Sequence, residues 1–375
     1  MTPPSRSHVG GEIGGEVEVA VVGGGPAGSA TALRLAAAGR SVALVEASGY
    51  ERPRIGECLA PGVRAALGEL GVGLDGLGEP LPSYGTSSRW GRCKADSLSY
   101  LFGLDQPGWH VDRPAFDAGL ARVASDRGVA VALRTRVVAA DWDGDRWRLA
   151  LRPNDGHFRR PVVARVLVDA TGRRSALARG LGARRVVFDR LVGVARSVET
   201  QGADPGGHVL VETTADGWWY SAPVPGAGMI MVLMTDADLC RSGRLSDPDR
   251  WAQALDATGP SAQRWPSGCR PGPVRIHPAT TSRHLRTDPR PWLAAGDAAL
   301  SLDPLSGTGV LAALRASAAT ATAVHRLLDR PGDPEPIHEH EVGIDRRCSE
   351  HLLRRREVYA AAGLSDGAFW ARRAA

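Results

Sequence analysis

Lysine is nearly missing from this sequence: Lys94 stands alone among 375 residues, against a combined Lys and Arg total of 46. Positive charge is therefore carried by arginine, which forks onto carboxylates and phosphates and stays protonated. Chemistry that needs a titrating amine has one side-chain candidate. Long apolar runs are missing too. No stretch of about 18 apolar residues occurs, so no transmembrane segment is expected. Met1 to Gly15 lacks the apolar core of a signal peptide, and residues 1–16 are expected to form a flexible polar N-terminus. Cysteine is sparse and scattered, at Cys58, Cys93, Cys240, Cys269 and Cys348. The odd number and the lack of any C-x-x-C pair argue against a disulfide framework and against a zinc site, and suit a reducing cytoplasm. Basic residues form no stripe. The net charge of +5 reads as solvated arginine surface rather than a nucleic-acid footprint. No internal repeat is present.

What remains is an ordinary globular composition, 43% hydrophobic and 23% charged, in a chain long enough for one large α/β unit and a smaller lobe. Glu18 to Val22 is a short apolar run with strand character. Gly23-Gly24-Gly25-Pro26-Ala27-Gly28 follows, then an Ala/Leu-rich helix to about Ala38, which Gly39 closes. Ser41 to Val45 is a second apolar run ending at Glu46. This is strand, turn, helix, strand within 30 residues, the opening of a doubly wound parallel sheet. Leu59 to Leu70 and Arg113 to Ala124 have helical spacing. Val129 to Val138 and Trp147 to Leu151 read as strands around an Asp143-Gly144 turn, and Val162 to Val168 as another.

From about Leu191 the texture changes. Val209–Thr213, Trp218–Val224 and Met229–Thr235 look like successive strands of a separate antiparallel sheet. Trp292–Ala295 returns as an apolar strand, and Thr308–Leu328 as a long alanine-rich helix. Pro331 to Pro336 breaks it before a helical tail. The expected fold is α/β: a Rossmann-like domain formed by 17–80, 108–185 and 275–330, an inserted antiparallel-sheet substrate domain from 81–107 and 186–274, and a C-terminal tail over 331–375.

Gly23, Gly25 and Gly28 occupy the G-x-G-x-x-G places. The first allows the tight turn, the second lets a pyrophosphate approach the backbone, and the third lets helix and strand pack closely. The helix N-terminus, from Ala27, faces the diphosphate. Glu46 lies at a strand end, where a carboxylate can accept hydrogen bonds from a ribose. The motif names a dinucleotide without separating NAD from FAD.

The distant stretch Leu293-Ala-Ala-Gly-Asp297-Ala-Ala, followed by Asp303-Pro304-Leu305-Ser306-Gly307-Thr308-Gly309, makes that separation by resemblance. It is similar to the C-terminal flavin motif of the FAD-dependent monooxygenase and halogenase superfamily, in which the dinucleotide-binding domain is of the glutathione-reductase and p-hydroxybenzoate-hydroxylase type. The resemblance implies that Asp297 bonds the ribityl chain, and that Pro304, Gly307, Thr308 and Gly309 lie at the flavin. A positive helix end there would stabilise charge on reduced flavin. Asp169-Ala-Thr-Gly172 matches a strand-end turn near the cofactor, and Val137 is placed beside it by the same resemblance. Gly108-Trp-His-Val-Asp-Arg113-Pro-Ala-Phe116-Asp117 resembles a W-x-x-D-R-x-x-F-D segment that brings an arginine toward FAD. An i,i+4 pair between Arg113 and Asp117 is the other reading, and both stay open. Arg54-Ile55-Gly56-Glu57-Cys58-Leu59-Ala60-Pro61 resembles the R-x-G-E-S-x-x-P segment beside the isoalloxazine. Cys58 replaces the usual serine and reads as a small half-buried hydrophobe.

Gly217-Trp218-Trp219-Tyr220-Ser221-Ala222-Pro223 resembles the G-W-x-W-x-I-P strand of flavin-dependent halogenases, with Tyr220 and Ala222 as departures. Trp218, Trp219 and Tyr220 are thus expected to contact substrate, as is Ser282. Aromatic packing within the sheet is the plainer reading. Glu57 and His110 are the candidate catalytic residues. Halogenases need a lysine beside the substrate and a glutamate near the flavin motif. Lys94 does not match, Pro82-Ser83-Tyr84-Gly85 offers glycine, and the glutamate would fall near Ser306. The resemblance therefore implies a monooxygenase working through a flavin C4a-hydroperoxide formed from O2, on an aromatic or indole-like small molecule or peptide side chain. The group also contains maturases that oxygenate tryptophan in tryptophylquinone enzymes. Electrons would come from NAD(P)H directly or through a separate flavin reductase. Halogenase, prenyl-type FAD reductase and non-catalytic FAD-binding partner are the alternatives.

Overall fold

The computed structural model describes residues 14–91, 96–99, 107–154, 156, 160–199, 207–226, 228–266, 268–364 and 366–374, with backbone alone for 96–99 and 374. The expected lead-in before Gly14, Cys93 and Lys94 lie outside the described residues.

Two large sheets organise the chain. The first runs in the order 130–132, 42–45, 15–22, 162–169, 147–153, 135–142. Its central members are mostly apolar, Val19 to Val22 beside Val162 to Val168, and all but Val163 and Arg165 of these are buried. That is the pattern of a parallel sheet covered by helices. The strand Val162–Asp169 is shared by three partners. It pairs in parallel with Gly15–Val22 along its length, antiparallel with Trp147–Pro153 at its start, and in parallel with Trp292–Ala294 at its end. This last pairing carries residues from the far end of the sequence to the carboxyl ends of the first strands. In an open α/β sheet, that is where a ligand sits.

The second sheet runs 275–278, 191–198, 228–236, 217–224, 208–214, 85–89, 96–99. It is antiparallel except where His208–Thr214 meets Gly85–Arg89 in parallel. Strand alternation sends neighbouring tryptophans to opposite faces. Trp218 joins Val232, Met234, Tyr359 and Trp370 on one side. Trp219 joins Trp251, Leu233 and Met231 on the other. A small three-stranded sheet, Cys58–Leu59, Gly108–His110 and Leu81–Ser83, bridges the two large ones.

Several expected boundaries move. Val129 to Val138 is two strands, Ala130–Ala132 and Thr135–Trp142, because Arg134 turns the chain at φ 51. The helix expected over Leu59 to Leu70 is Val63–Gly68. Arg275–Pro278 hydrogen-bonds to 192–195 of the second sheet, so the inserted sheet extends past residue 274. The tail is the 27-residue helix Glu335–Ala361 followed by Ala368–Ala374, and it packs on both sheets. No helix among the described residues is long and apolar enough to cross a membrane.

Candidate functional site

The turn after the first strand is closed by sterics. A Cβ on Gly23 would lie 2.1 Å from the Ala170 carbonyl oxygen, and one on Gly28 would lie 1.9 Å from the Gly23 oxygen. Neither position admits a side chain. Gly25 differs: nothing lies within 4 Å of a Cβ built there. It precedes the helix Pro26–Ala37, whose N-terminus has no side-chain cap. An open concavity lined by free amides at a helix start suits a diphosphate. Glu46 stands beside it, buried, its carboxylate accepting from the Gly24 amide at 2.7 Å and the Ser48 amide at 2.9 Å. Tyr50 donates to the Gly24 carbonyl at 2.8 Å, and burial and the Glu46 charge hold its phenol well above the usual range.

The distant segment packs against the first helix. Gly296 packs so closely on the first helix that a Cβ there would meet the Ala27 Cβ at 2.6 Å. Asp297 follows, half-exposed, with the Arg173 Nε 3.2 Å from its carboxylate. Arg173 also donates to the Thr280 and Leu302 carbonyls, fixing the Gly172 turn to this loop. Gly307 adopts φ 61, and the helix Gly309–Asp329 begins without a side-chain cap. No atom lies within 4 Å of a Cβ on Gly172, Gly307 or Gly309. Pro304 and Thr308 flank this open stretch. Val137 sits at the outer strand of the first sheet, packed on its core.

Arg113 makes the i,i+4 pair. It forks onto Asp117 at 3.2 and 3.3 Å, and it donates to the Ile55 and Gly56 carbonyls at 3.1 and 3.3 Å. Asp117, fully buried, also accepts from Arg54 at 2.7 Å, while Arg54 reaches Ser48 and Glu46. The pairing of Arg113 with Asp117 was legible as i,i+4 spacing. The role of Asp117 as a hub between two arginines was not, because Arg54 lies 63 residues away.

A second cluster forms where the bridging sheet meets the second sheet. Antiparallel pairing sets Cys58 opposite His110, and Leu81 opposite His110 on its other side. Glu57, Ser83 and His110 are at most 2% exposed. The Glu57 Oε2 accepts from the Gly56 amide at 2.9 Å. Its Oε1, the Ser83 hydroxyl and both His110 nitrogens have no partner in hydrogen-bond geometry, although the Tyr220 phenol lies against the Glu57 carboxylate and the Cys58 thiol against the Ser83 hydroxyl. The Gly207 backbone lies beside the His110 ring without meeting hydrogen-bond geometry. Burial drives His110 down to about 4, with Arg264 and His208 adding to the shift, so the ring is neutral at pH 7. Burial, then the nearby Glu57 charge, pushes the Tyr220 phenol well above its usual range. Tyr220 is only partly buried. Cys58 is pushed up to about 12 by burial and by Glu57, which makes it an inert thiol.

Native proteins rarely leave buried polar atoms unpaired, and a group of them marks a place for a ligand. Trp218 and Tyr220 face this region, with Ile55 and Leu305 packed alongside. Two expected contacts do not come here. Trp219 lies on the opposite face, its ring 5.1 Å from Trp251. Ser282 is buried in a separate three-stranded sheet, where Arg185 donates to it at 3.2 Å.

Glycine turn, ribose-side carboxylate, open amides and the Asp297 loop together fit FAD. The chain belongs to the FAD binding domain family, whose match spans residues 16–330. It is an FAD-dependent oxidoreductase with the fold shared by flavin monooxygenases and halogenases. It is similar to a putative FAD-dependent oxidoreductase, LodB, of Marinomonas mediterranea, 31% identical over 300 residues, covering 77% of this chain and 79% of that protein. Among solved structures it resembles QhpG, a peptidyl tryptophan dihydroxylase essential for tryptophylquinone cofactor biogenesis. The identity there is 25% and the TM-score 0.76, over 96% of this chain and 79% of that one. It shares its fold with the flavin-dependent halogenase CmlS at 24% identity and TM-score 0.83, over 96% of this chain and 68% of that one.

Proposed function

We propose that this protein is a monooxygenase that inserts oxygen from O2 into an aromatic or indole-like substrate, either a small molecule or a peptide side chain. The carrying observation is the cluster of Glu57, Ser83, His110 and Tyr220, which leaves buried polar atoms without a partner in hydrogen-bond geometry. Bound FAD supplies the redox chemistry that activates O2. The chain's own residues do the rest. Ile55, Trp218 and Leu305, packed in one cluster, keep water from the reacting centre. Tyr220 keeps its proton against the Glu57 carboxylate. Neutral His110 offers one ring N–H and one acceptor nitrogen to whatever binds. The likeness to QhpG supports an indole, and a peptide-borne one.

The halogenase alternative is disfavoured by sequence: glycine stands at Gly85 in Pro82-Ser83-Tyr84-Gly85, the stretch that matches the halogenase lysine segment better than Lys94 does, and Ser306 falls near the place of the halogenase glutamate. NAD(P)H serves as electron source, directly or through a separate flavin reductase. Turnover with FAD, NADPH, a flavin reductase, free indoles and tryptophan-containing peptides should consume O2 and give a product heavier by one oxygen atom. A chlorinated product in chloride buffer overturns the reading, as does a reduced product formed without O2. Flavin bleaching by NADPH alone separates direct reduction from the reductase route.

A further inference from the structure

Three parts of the chain meet at one phenol. Tyr359 lies near the end of the tail helix and is 3% exposed. Its hydroxyl accepts from Trp218 Nε1 at 3.0 Å and donates to Asp303 Oδ2 at 2.9 Å. Trp218 belongs to the second sheet. Asp303 opens the loop that leads through Gly307 to the uncapped helix at Gly309. Its other oxygen accepts from the Leu305 amide at 3.0 Å and caps the 3-10 turn Pro304–Ser306. One carboxylate thus shapes the backbone at the flavin and is held on its far side by the tail.

Asp303 is 1% exposed. Burial pushes its carboxyl upward, while the Leu305 amide and the Tyr359 hydroxyl favour the ionised form. The Asp189 carboxylate and the Arg355 guanidinium act on it in opposite directions. A buried carboxylate with so few donors is sensitive to the loss of one.

The tail holds the phenol firmly. Trp90 donates to the Val358 carbonyl at 2.9 Å and Trp370 to the Thr214 carbonyl at 2.7 Å. Arg373 pairs with buried Asp236 at 2.8 Å, and its guanidinium lies 5.1 Å from the Tyr359 ring centre. The rings of Trp90 and Trp370 each stand 6.0 Å from that of Tyr359. These contacts place the hydroxyl; they do not replace it.

We infer that Tyr359 is a positioning residue for the flavin loop, and that through Trp218 it ties the shape of that loop to the second sheet. The inference stands on the FAD site and not on the proposed oxygen chemistry, so it holds even if the reaction is a reduction. Tyr359→Phe keeps the ring and removes the hydroxyl. In the full-length protein it should weaken FAD binding about tenfold, the size of one buried hydrogen bond to a charged group, and shift the visible bands of bound flavin. Trp218→Phe should weaken FAD binding in the same direction by about threefold, and the double variant should bind no worse than Tyr359→Phe alone. The melting temperatures of apoprotein and holoprotein are the control. A merely structural role lowers both equally and leaves affinity and spectrum alone. FAD affinity within about twofold of the parent in Tyr359→Phe, or additive losses in the double variant, overturns the inference.

Discussion

Around the glycine turn the buried acids are saturated. Glu46 accepts from two backbone amides and from Ser48, Asp117 from two arginines, and Asp169 from the Thr171 and Ala178 amides. Across the bridging sheet, some of the same kinds of atom go unserved. Glu57 Oε1, Ser83 Oγ and the His110 ring are buried with no partner. The first region is complete as protein and presents open backbone to its cofactor. The second leaves buried polar atoms without a partner in the protein. Saturated acids stabilise the fold around the turn, whereas buried polar atoms without partners cost stability.

Substitutions on either side should separate these behaviours. The largest effect is expected for Asp117→Ala, which leaves Arg54 and Arg113 without their shared counter-charge. A loss of about 3 kcal/mol is expected, at the low end for a broken buried pair because Arg54 keeps some solvent contact. Denaturant unfolding measures it, and a change below about 1 kcal/mol would remove Asp117 from the role of hub. Gly28→Ala and Gly25→Ala come next. The first drives a methyl into the Gly23 carbonyl and should destabilise the apoprotein by about 2–3 kcal/mol. The second meets no protein atom, so apoprotein stability should hold while FAD affinity falls about tenfold or more, as the methyl obstructs the close approach of the diphosphate.

A third test uses pH. His110 titrates near 4 in the folded protein and near 6.5 when unfolded. Between those values the unfolded chain takes up a proton and the folded chain does not. Stability from this residue is therefore intact above pH 6.5 and lost as pH falls toward 4, by up to about 1.4 kcal/mol per pH unit. His110→Gln should flatten that part of the stability-versus-pH curve. An unchanged slope would mean the ring is less shielded than its burial implies. The smallest effect belongs to Ser83→Ala. Removing an unpartnered buried hydroxyl should leave stability unchanged or raise it by about 0.5 kcal/mol, while turnover falls. A clear loss of stability would show that Ser83 already has its hydrogen bond.

Much of the cofactor site was legible in the residues themselves. Gly23 to Glu46 form strand, turn, helix and strand from local sterics, and the resemblance carried by Asp297 and Gly307 pointed to FAD. Less of the substrate side could be read. Trp218, Trp219 and Tyr220 are consecutive, and a sequence in which both faces of a strand are buried gives no sign of which face meets the flavin. Trp219 was assigned to substrate and instead packs with Trp251. Ser282 was placed near substrate and lies in another sheet. Tyr359 drew no attention because nothing near it in sequence is chemical; its meaning lies in Trp218 and Asp303, 141 and 56 residues away.

By itself the sequence determined the glycine turn, its following helix and the acidic strand end, because each is fixed by contacts within a few residues and by the absence of a side chain where backbone must approach backbone. Tertiary structure alone decided that Asp117 serves two arginines, that the tail reaches the Asp303 loop, and that Glu57, Ser83 and His110 are buried with polar atoms that lack a partner. Those outcomes depend on which surfaces pack together across long separations, and the pattern of residue types along the chain does not encode that pairing locally.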